Sequence, residues 1–260
     1  MRTPITFYGG KARMVNLLLK YIPIHHAYCE PFFGGGALFF SKPKSDVEII
    51  NDVNGEVVNF YRVLKTKFIE LESEISATLH SRELFNKAKI VYENPELFSD
   101  VKRAWAFWVL ANQGFASSLS SWGFANDNSK EKTLAYKREA FSFDFAKRLE
   151  ITQIECTDAL RVIERCDTPN TFFYLDPPYF NSHQGHYKGY TEQDFTNLLQ
   201  LLATIKGKFL LSSYPSETLK SFTVDNNWFY DSFEKPVGVT NLTKKIKTEV
   251  LTYNFLPDCE

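Results

Sequence analysis

The sequence predicts an α/β protein built on a doubly wound, Rossmann-like sheet and interrupted by a mainly helical insertion. Three observations carry this. A short strand runs through a glycine turn into a helix at residues 27–37. Strand–helix alternation then appears on both sides of a long stretch that has none. Finally, acidic residues sit just past the predicted strands, where ligands of such sheets bind.

The elements follow in order. Lys11 to Ile22 has apolar residues at helical spacing and stops at Pro23, which predicts a helix. Ala27 to Pro31 reads as a buried strand leading into Phe32-Phe33-Gly34-Gly35-Gly36, with a helix starting at Ala37. Val47–Asn51 is a second strand, and Asn54–Leu64 a helix whose apolar face is Val57, Val58, Tyr61 and Leu64. Residues 65–148 read as several helices plus a polar loop from Gln113 to Ser129. Strand signals return at Ile151–Glu155, Thr171–Leu175 and Lys208–Ser212, with helices starting near Thr157 and Thr191. Trp228–Phe233 and Thr248–Phe255 close the chain as a pair of strands. This divides the chain into a catalytic domain over 1–64 and 149–260, and an insertion over 65–148.

Composition bounds the class. The chain has 260 residues, 44% of them hydrophobic, enough for a substantial core. Aromatics reach 16%, a surplus that suits base stacking. Four cysteines without C-x-x-C spacing argue against a zinc knuckle or disulfide framework and read as reduced thiols of a cytoplasmic protein. No run reaches the length of a membrane span, so no membrane partner is expected. Net charge is −1, without the basic excess usual for a nucleic-acid binder. The charge is uneven, however. Lys102 to Arg148 holds eight Lys and Arg against four Asp and Glu, and Lys244-Lys245-Ile246-Lys247 forms a second basic cluster. Each reads equally well as a solvated face.

The glycine turn lacks both the G-x-G-x-x-G pattern and a following Lys-Ser or Lys-Thr, which weakens dinucleotide and P-loop readings. Gly34, Gly35 and Gly36 leave room for close backbone approach. The next strand ends in Asn51-Asp52, where an acid can bind a ribose diol. The alternative for Asp52 is a helix N-cap ahead of Asn54. A ribose without a diphosphate fingerprint points to a nucleoside cofactor, and S-adenosylmethionine answers that description.

The strand Thr171–Leu175 ends in Asp176-Pro177-Pro178-Tyr179. Two prolines remove two N–H donors and fix φ, so neighbouring carbonyls are rigid acceptors. A carboxylate, a carbonyl and a ring are thus gathered in four residues. An adenine amino group has its lone pair delocalised into the ring. Accepting its two N–H bonds at Asp176 and at the Pro177 carbonyl localises that pair for in-line attack on a methyl group. The Tyr179 ring can hold the base at that geometry. His183-x-x-His186 has no partner at ligand spacing, so no metal is expected and a mobile loop over 181–190 is the preferred reading.

With these motifs in hand, the sequence resembles the DNA adenine methylase (Dam-like, D12 class) family of adenine-N6 DNA methyltransferases. Phe7-Tyr8-Gly9-Gly10-Lys11, Glu30-Pro31-Phe32-Phe33-Gly34-Gly35-Gly36-Ala37, Asn51-Asp52, Asp176-Pro177-Pro178-Tyr179 and Leu211-Ser212-Ser213-Tyr214 follow its motif order. The resemblance implies S-adenosylmethionine contacts at Phe7, Tyr8, Lys11, Glu30, Pro31, Phe32, Gly34, Gly36, Asp52 and Asp176. Asp158, in Thr157-Asp158, matches the family's adenine pocket more loosely. It implies that residues 65–148 form a target-recognition module acting on double-stranded DNA. Asn112, Gln113, Gly114 and Phe115 would lie at its DNA face, joined by Lys130, Lys132, Lys137 and Arg138. Residues 115–130 depart from the family members that read GATC. The target adenine would have to be flipped out of the duplex. The resemblance also admits a cognate restriction endonuclease as partner in the same system. The competing readings are an RNA adenine methyltransferase and a non-catalytic DNA-binding relative.

Overall fold

The structure, a computed structural model, describes residues 3–115, 119–181, 189–237 and 245–257; side chains of 235–237 and 245–247 are not described. His183, His186 and Lys244 therefore lie outside the described residues, as do the side chains of Lys245 and Lys247.

Seven strands form one sheet: β1 (Ala27–Glu30), β2 (Val47–Asn51), β3 (Gln153–Glu155), β4 (Thr171–Leu175), β5 (Lys208–Ser213), β6 (Phe229–Val237) and β7 (Lys245–Tyr253). Their order is β3-β2-β1-β4-β5-β7-β6. The first five pair in parallel, and β7 pairs antiparallel with both β5 and β6. Order reverses between β1 and β4, so a crevice opens beyond the carboxyl ends of these two strands. The closing pair is longer than the sequence signals suggest. Each strand runs nine residues, and β7 inserts between β5 and β6.

The helices are α1 (Val15–Leu18), α2 (Ala37–Ser41), α3 (Gly55–Thr66), α4 (Phe68–Ser76), α5 (Arg82–Glu93), α6 (Asp100–Gln113), α7 (Ser129–Glu139), α8 (Phe143–Leu149), α9 (Ala159–Cys166), α10 (Glu192–Leu202) and α11 (Glu217–Asp225). Strand residues alternate between two cores, as period two requires. Tyr28, Ile50, Phe172, Tyr174, Leu210 and Leu251 join one core. Cys29, Ile49, Phe173, Leu175, Phe209, Leu211 and Val250 face the other, which α9, α10 and α11 cover.

The first helix is a correction. The sequence predicts Lys11–Ile22, but α1 covers only Val15–Leu18 and continues as a 3₁₀ turn over Leu19–Tyr21. Gly9 takes φ +73°, and Lys11 is drawn into a buried ion pair, so the chain bends before it can coil.

The insertion does not build a core of its own. Its central helix α6 is buried all round from Ala104 to Ala111 and packs on α3 and α5. Phe60, Phe107, Phe40 and Phe145 join it to the sheet core. At its end, Arg148 donates to both oxygens of the fully buried Glu48 on β2 and, at 2.8 Å, to the Phe39 carbonyl. Lys42 meets the same Glu48 at 2.7 Å. The boundary expected after residue 64 falls inside α3, which runs to Thr66.

Candidate active site

A cleft of about 2030 Å³ lies along the carboxyl edge of the sheet. Acidic side chains reach it from strand after strand: Asp158 beyond β3, Asp52 beyond β2, Glu30 at the end of β1, Asp176 beyond β4 and Glu249 on β7. The parallel strands aim these ends at one place, which is why residues far apart in sequence meet. Asn51 laces three of the ends together. Its amide donates to the Pro31 carbonyl at 2.9 Å and exchanges bonds with the Thr157 backbone.

The glycine turn is shaped by the protein's own rings. Gly34 and Gly36 have φ of +47° and +61°, which favour glycine. A Cβ on Gly34 or Gly35 would stand 2.9 Å from Phe7, and one on Gly36 only 2.5 Å from the Phe33 ring. The turn and Phe7-Tyr8-Gly9-Gly10-Lys11 therefore pack as one unit. Asp52 is not the cap of α3. Asn54 is, through Glu56 N–H at 2.9 Å. The buried Asp52 carboxylate accepts from Gly34 N–H and Asn54 N–H, both at 2.9 Å, so it ties the glycine turn to β2. Glu30 accepts from the Tyr28 hydroxyl, and burial pushes its carboxyl up to about 8. Asp158 caps α9 through Leu160 N–H at 3.0 Å.

Asp176 is held at the centre. Its Oδ1 lies 2.6 Å from Lys11 Nζ and 3.2 Å from the Tyr179 hydroxyl oxygen. Burial raises the Asp176 carboxyl above its usual range, with Lys11 opposing. Burial opposes the charge on Lys11, but Asp176 and Glu249 more than offset it and leave the ammonium raised. The Tyr179 ring lies edge-on to Tyr214 at 4.4 Å, with Lys11 Nζ 5.0 Å from its centroid.

Every catalytic and cofactor residue read from the sequence lines this cleft. The residues assigned to the DNA face divide differently. Asn112 and Lys137 line the cleft. Asn112 Oδ1 accepts from Thr6 N–H and Oγ, and Lys137 Nζ donates to the Asn112 carbonyl at 3.3 Å. Burial lowers the Lys137 ammonium to about 8. Gln113 is 2% exposed, donates to the Leu79 carbonyl, and accepts from Ser81 N–H and Trp122 Nε1. Arg138 bonds the Thr78 carbonyl and Glu131. Gln113 and Arg138 thus brace the module, because their side chains close α6 and α7 onto the turn at 78–81. Gly114 bridges to Trp122, and Phe115 beside it is exposed. Lys132 is exposed and Lys130 half-buried on α7. Sequence reasoning missed Glu249, Thr133 and Tyr136. Glu249 lies in a strand read only as part of the closing pair, and the other two are set by how α7 turns toward the cleft.

A Rossmann-like sheet with an acid beyond most of its parallel strand ends, and a glycine turn at the switch point, defines an α/β protein with a ligand-sized cleft at the carboxyl edge of its sheet. The chain belongs to the D12 class N6 adenine-specific DNA methyltransferase family, whose model matches residues 7–250. It is 27% identical over 203 residues to the DNA N-6-adenine-methyltransferase of Escherichia phage P1, covering 71% of this chain and 26% of that protein. It is 26% identical over 183 residues to the DNA adenine methylase of Salmonella typhi, covering 66% and 62%. It thus spans about a quarter of the phage protein and under two thirds of the Salmonella one. The DNA adenine methylase of Escherichia coli (strain K12) is 26% identical over 200 residues, covering 72% and 69%.

Proposed function

We propose that this chain transfers a methyl group from S-adenosylmethionine to the exocyclic amino group of adenine in double-stranded DNA. The observation that carries the reading is Asp176, partly buried just past β4 beside the switch point and followed by two prolines that donate nothing.

The cleft suits the cofactor's chemistry. S-adenosylmethionine would supply a methyl group on a positively charged sulfur. Acidic side chains from successive strand ends offer a field that favours such a ligand. Asp52 and Asp158 would hold its nucleoside, and Phe7, Tyr8, Pro31 and Phe32 would pack around it. Lys11 would face its methionine end, with Glu30, Gly34 and Gly36 shaping the wall.

Asp176 and the Pro177 carbonyl accept the two amino N–H bonds and localise the nitrogen lone pair. As the N–C bond forms, the methyl group's bond to the donor sulfur would break with its electron pair left on sulfur as a neutral thioether; positive charge grows on nitrogen, and the carboxylate stabilises it. The proton shed by that nitrogen leaves through Asp176. Adenine reaches this depth only when extruded from the duplex, at a cost of roughly a few kcal/mol. The exposed Phe115 and, on α7, Lys130 and Lys132 are the surfaces offered to DNA.

Tritiated-methyl transfer to duplex DNA and to ribosomal RNA tests the reading. Label in DNA, recovered as N6-methyladenine after digestion, is expected. Label confined to RNA contradicts it.

A further inference from the structure

Asp176 must accept an amino N–H, yet Lys11 already holds its Oδ1 at 2.6 Å. A buried ammonium leaves a carboxylate readily only if another anion receives it, because an unpaired buried charge is strongly disfavoured.

Glu249 stands where that second anion is needed. It lies on β7, 4% exposed. Its Oε1 is 3.4 Å from Lys11 Nζ, little farther than the Asp176 oxygen at 2.6 Å. The Ser212 hydroxyl donates to the same oxygen at 2.7 Å, and the Tyr179 hydroxyl donates to it as well. Donors from β5, the N-terminal segment and the 176–179 loop thus converge on one carboxylate.

We propose that Glu249 is a positioning residue for methyl transfer: it takes over Lys11 and holds the Tyr179 hydroxyl, which frees Asp176 to accept the adenine amino group. The inference rests on the role given to Asp176 above. Two carboxylates sharing one ammonium also leave an excess of negative charge where positive charge develops on nitrogen. Among the described residues, the charged and titratable groups facing Glu249 include Lys11, Asp176, Tyr179 and Tyr174; Ser212 on β5 and Phe233, opposite it on β6, do not titrate. Burial raises the Asp176 carboxyl, Lys11 lowers it, and the Glu249 charge raises it further.

The test is steady-state methylation of duplex DNA by the full chain and by Glu249→Gln and Glu249→Asp, followed across pH. Glu249→Gln keeps the shape but not the charge. It should lose about ten- to a hundredfold in kcat, with both KM values within about twofold. Its acid limb should move to lower pH, since Asp176 keeps Lys11 and loses a repelling neighbour. Glu249→Asp should keep the wild-type limb and recover part of kcat. Wild-type kcat and an unmoved limb in Glu249→Gln overturn the proposal, as does Glu249→Asp being as impaired as Glu249→Gln. Should Glu249→Gln fail to fold, Ser212→Ala decides: lower kcat at unchanged KM supports the role, and unchanged kcat overturns it. Failure of the proposed function itself looks different, since the wild type would then transfer no methyl to DNA.

Discussion

The sheet edge and the inserted module present their polar residues in opposite ways. At the edge, polar side chains from strands far apart in sequence converge on a cleft, and the ion pair of Lys11 with Asp176 lies inside it. In the module, the residues that look most like contacts turn inward. Gln113 and Arg138 spend their hydrogen bonds on Leu79, Ser81, Thr78 and Glu131. The difference teaches where sequence is informative about position. A residue just past a parallel strand is delivered to the crevice by the sheet. A polar residue on a helix goes wherever tertiary packing turns that helix.

Three variants can break or sharpen this contrast. The largest effect on stability belongs to Glu30. Its folded-state carboxyl is raised to about 8 from the ordinary 4.5, chiefly by burial. The stabilisation from its proton is full below about 4.5 and is lost as pH rises through about 8. Thermal melts should show stability falling by a few kcal/mol between those two values, with a slope of about 1.4 kcal/mol per pH unit. Glu30→Gln should flatten the dependence. An equally steep fall in the variant removes Glu30 as its source.

Next is Gln113→Ala, which leaves the Ser81 N–H and the Leu79 carbonyl short of a partner. It should cost about 1–3 kcal/mol in urea unfolding. An unchanged midpoint alongside weakened DNA binding would return Gln113 to the DNA face. The smallest effect on stability is expected from Lys132→Ala. The exposed lysine should leave stability within about 0.5 kcal/mol. If it meets a phosphate, the slope of log affinity against log salt drops by about one. An unchanged slope removes Lys132 from the DNA contact set.

Much of the sheet is legible in the sequence. Val47–Asn51 and Thr171–Leu175 can be read to the residue, because short β-branched and aromatic stretches end there at Asp52 and Asp176. The first helix is overextended by its periodicity, since nothing local says that Lys11 will be pulled into an ion pair with Asp176. The insertion of β7 between β5 and β6 is a long-range pairing with no local signal, and Glu249 is hidden with it. The glycine turn is visible in the sequence, but part of its cause is not. Its missing Cβ atoms make room for Phe7 and Phe33. The same Asp52 that could have capped a helix instead anchors Gly34, a bond between residues 18 apart.

The central claim is that Asp176, one of several residues expected at the cofactor, contributes far more to methyl transfer than to cofactor binding. The most direct measurement pairs calorimetric S-adenosylmethionine binding with tritiated-methyl transfer to duplex DNA for Asp176→Ala. The account predicts that transfer is lost by at least about a hundredfold while binding and folding persist. Near wild-type transfer by the folded variant would contradict it.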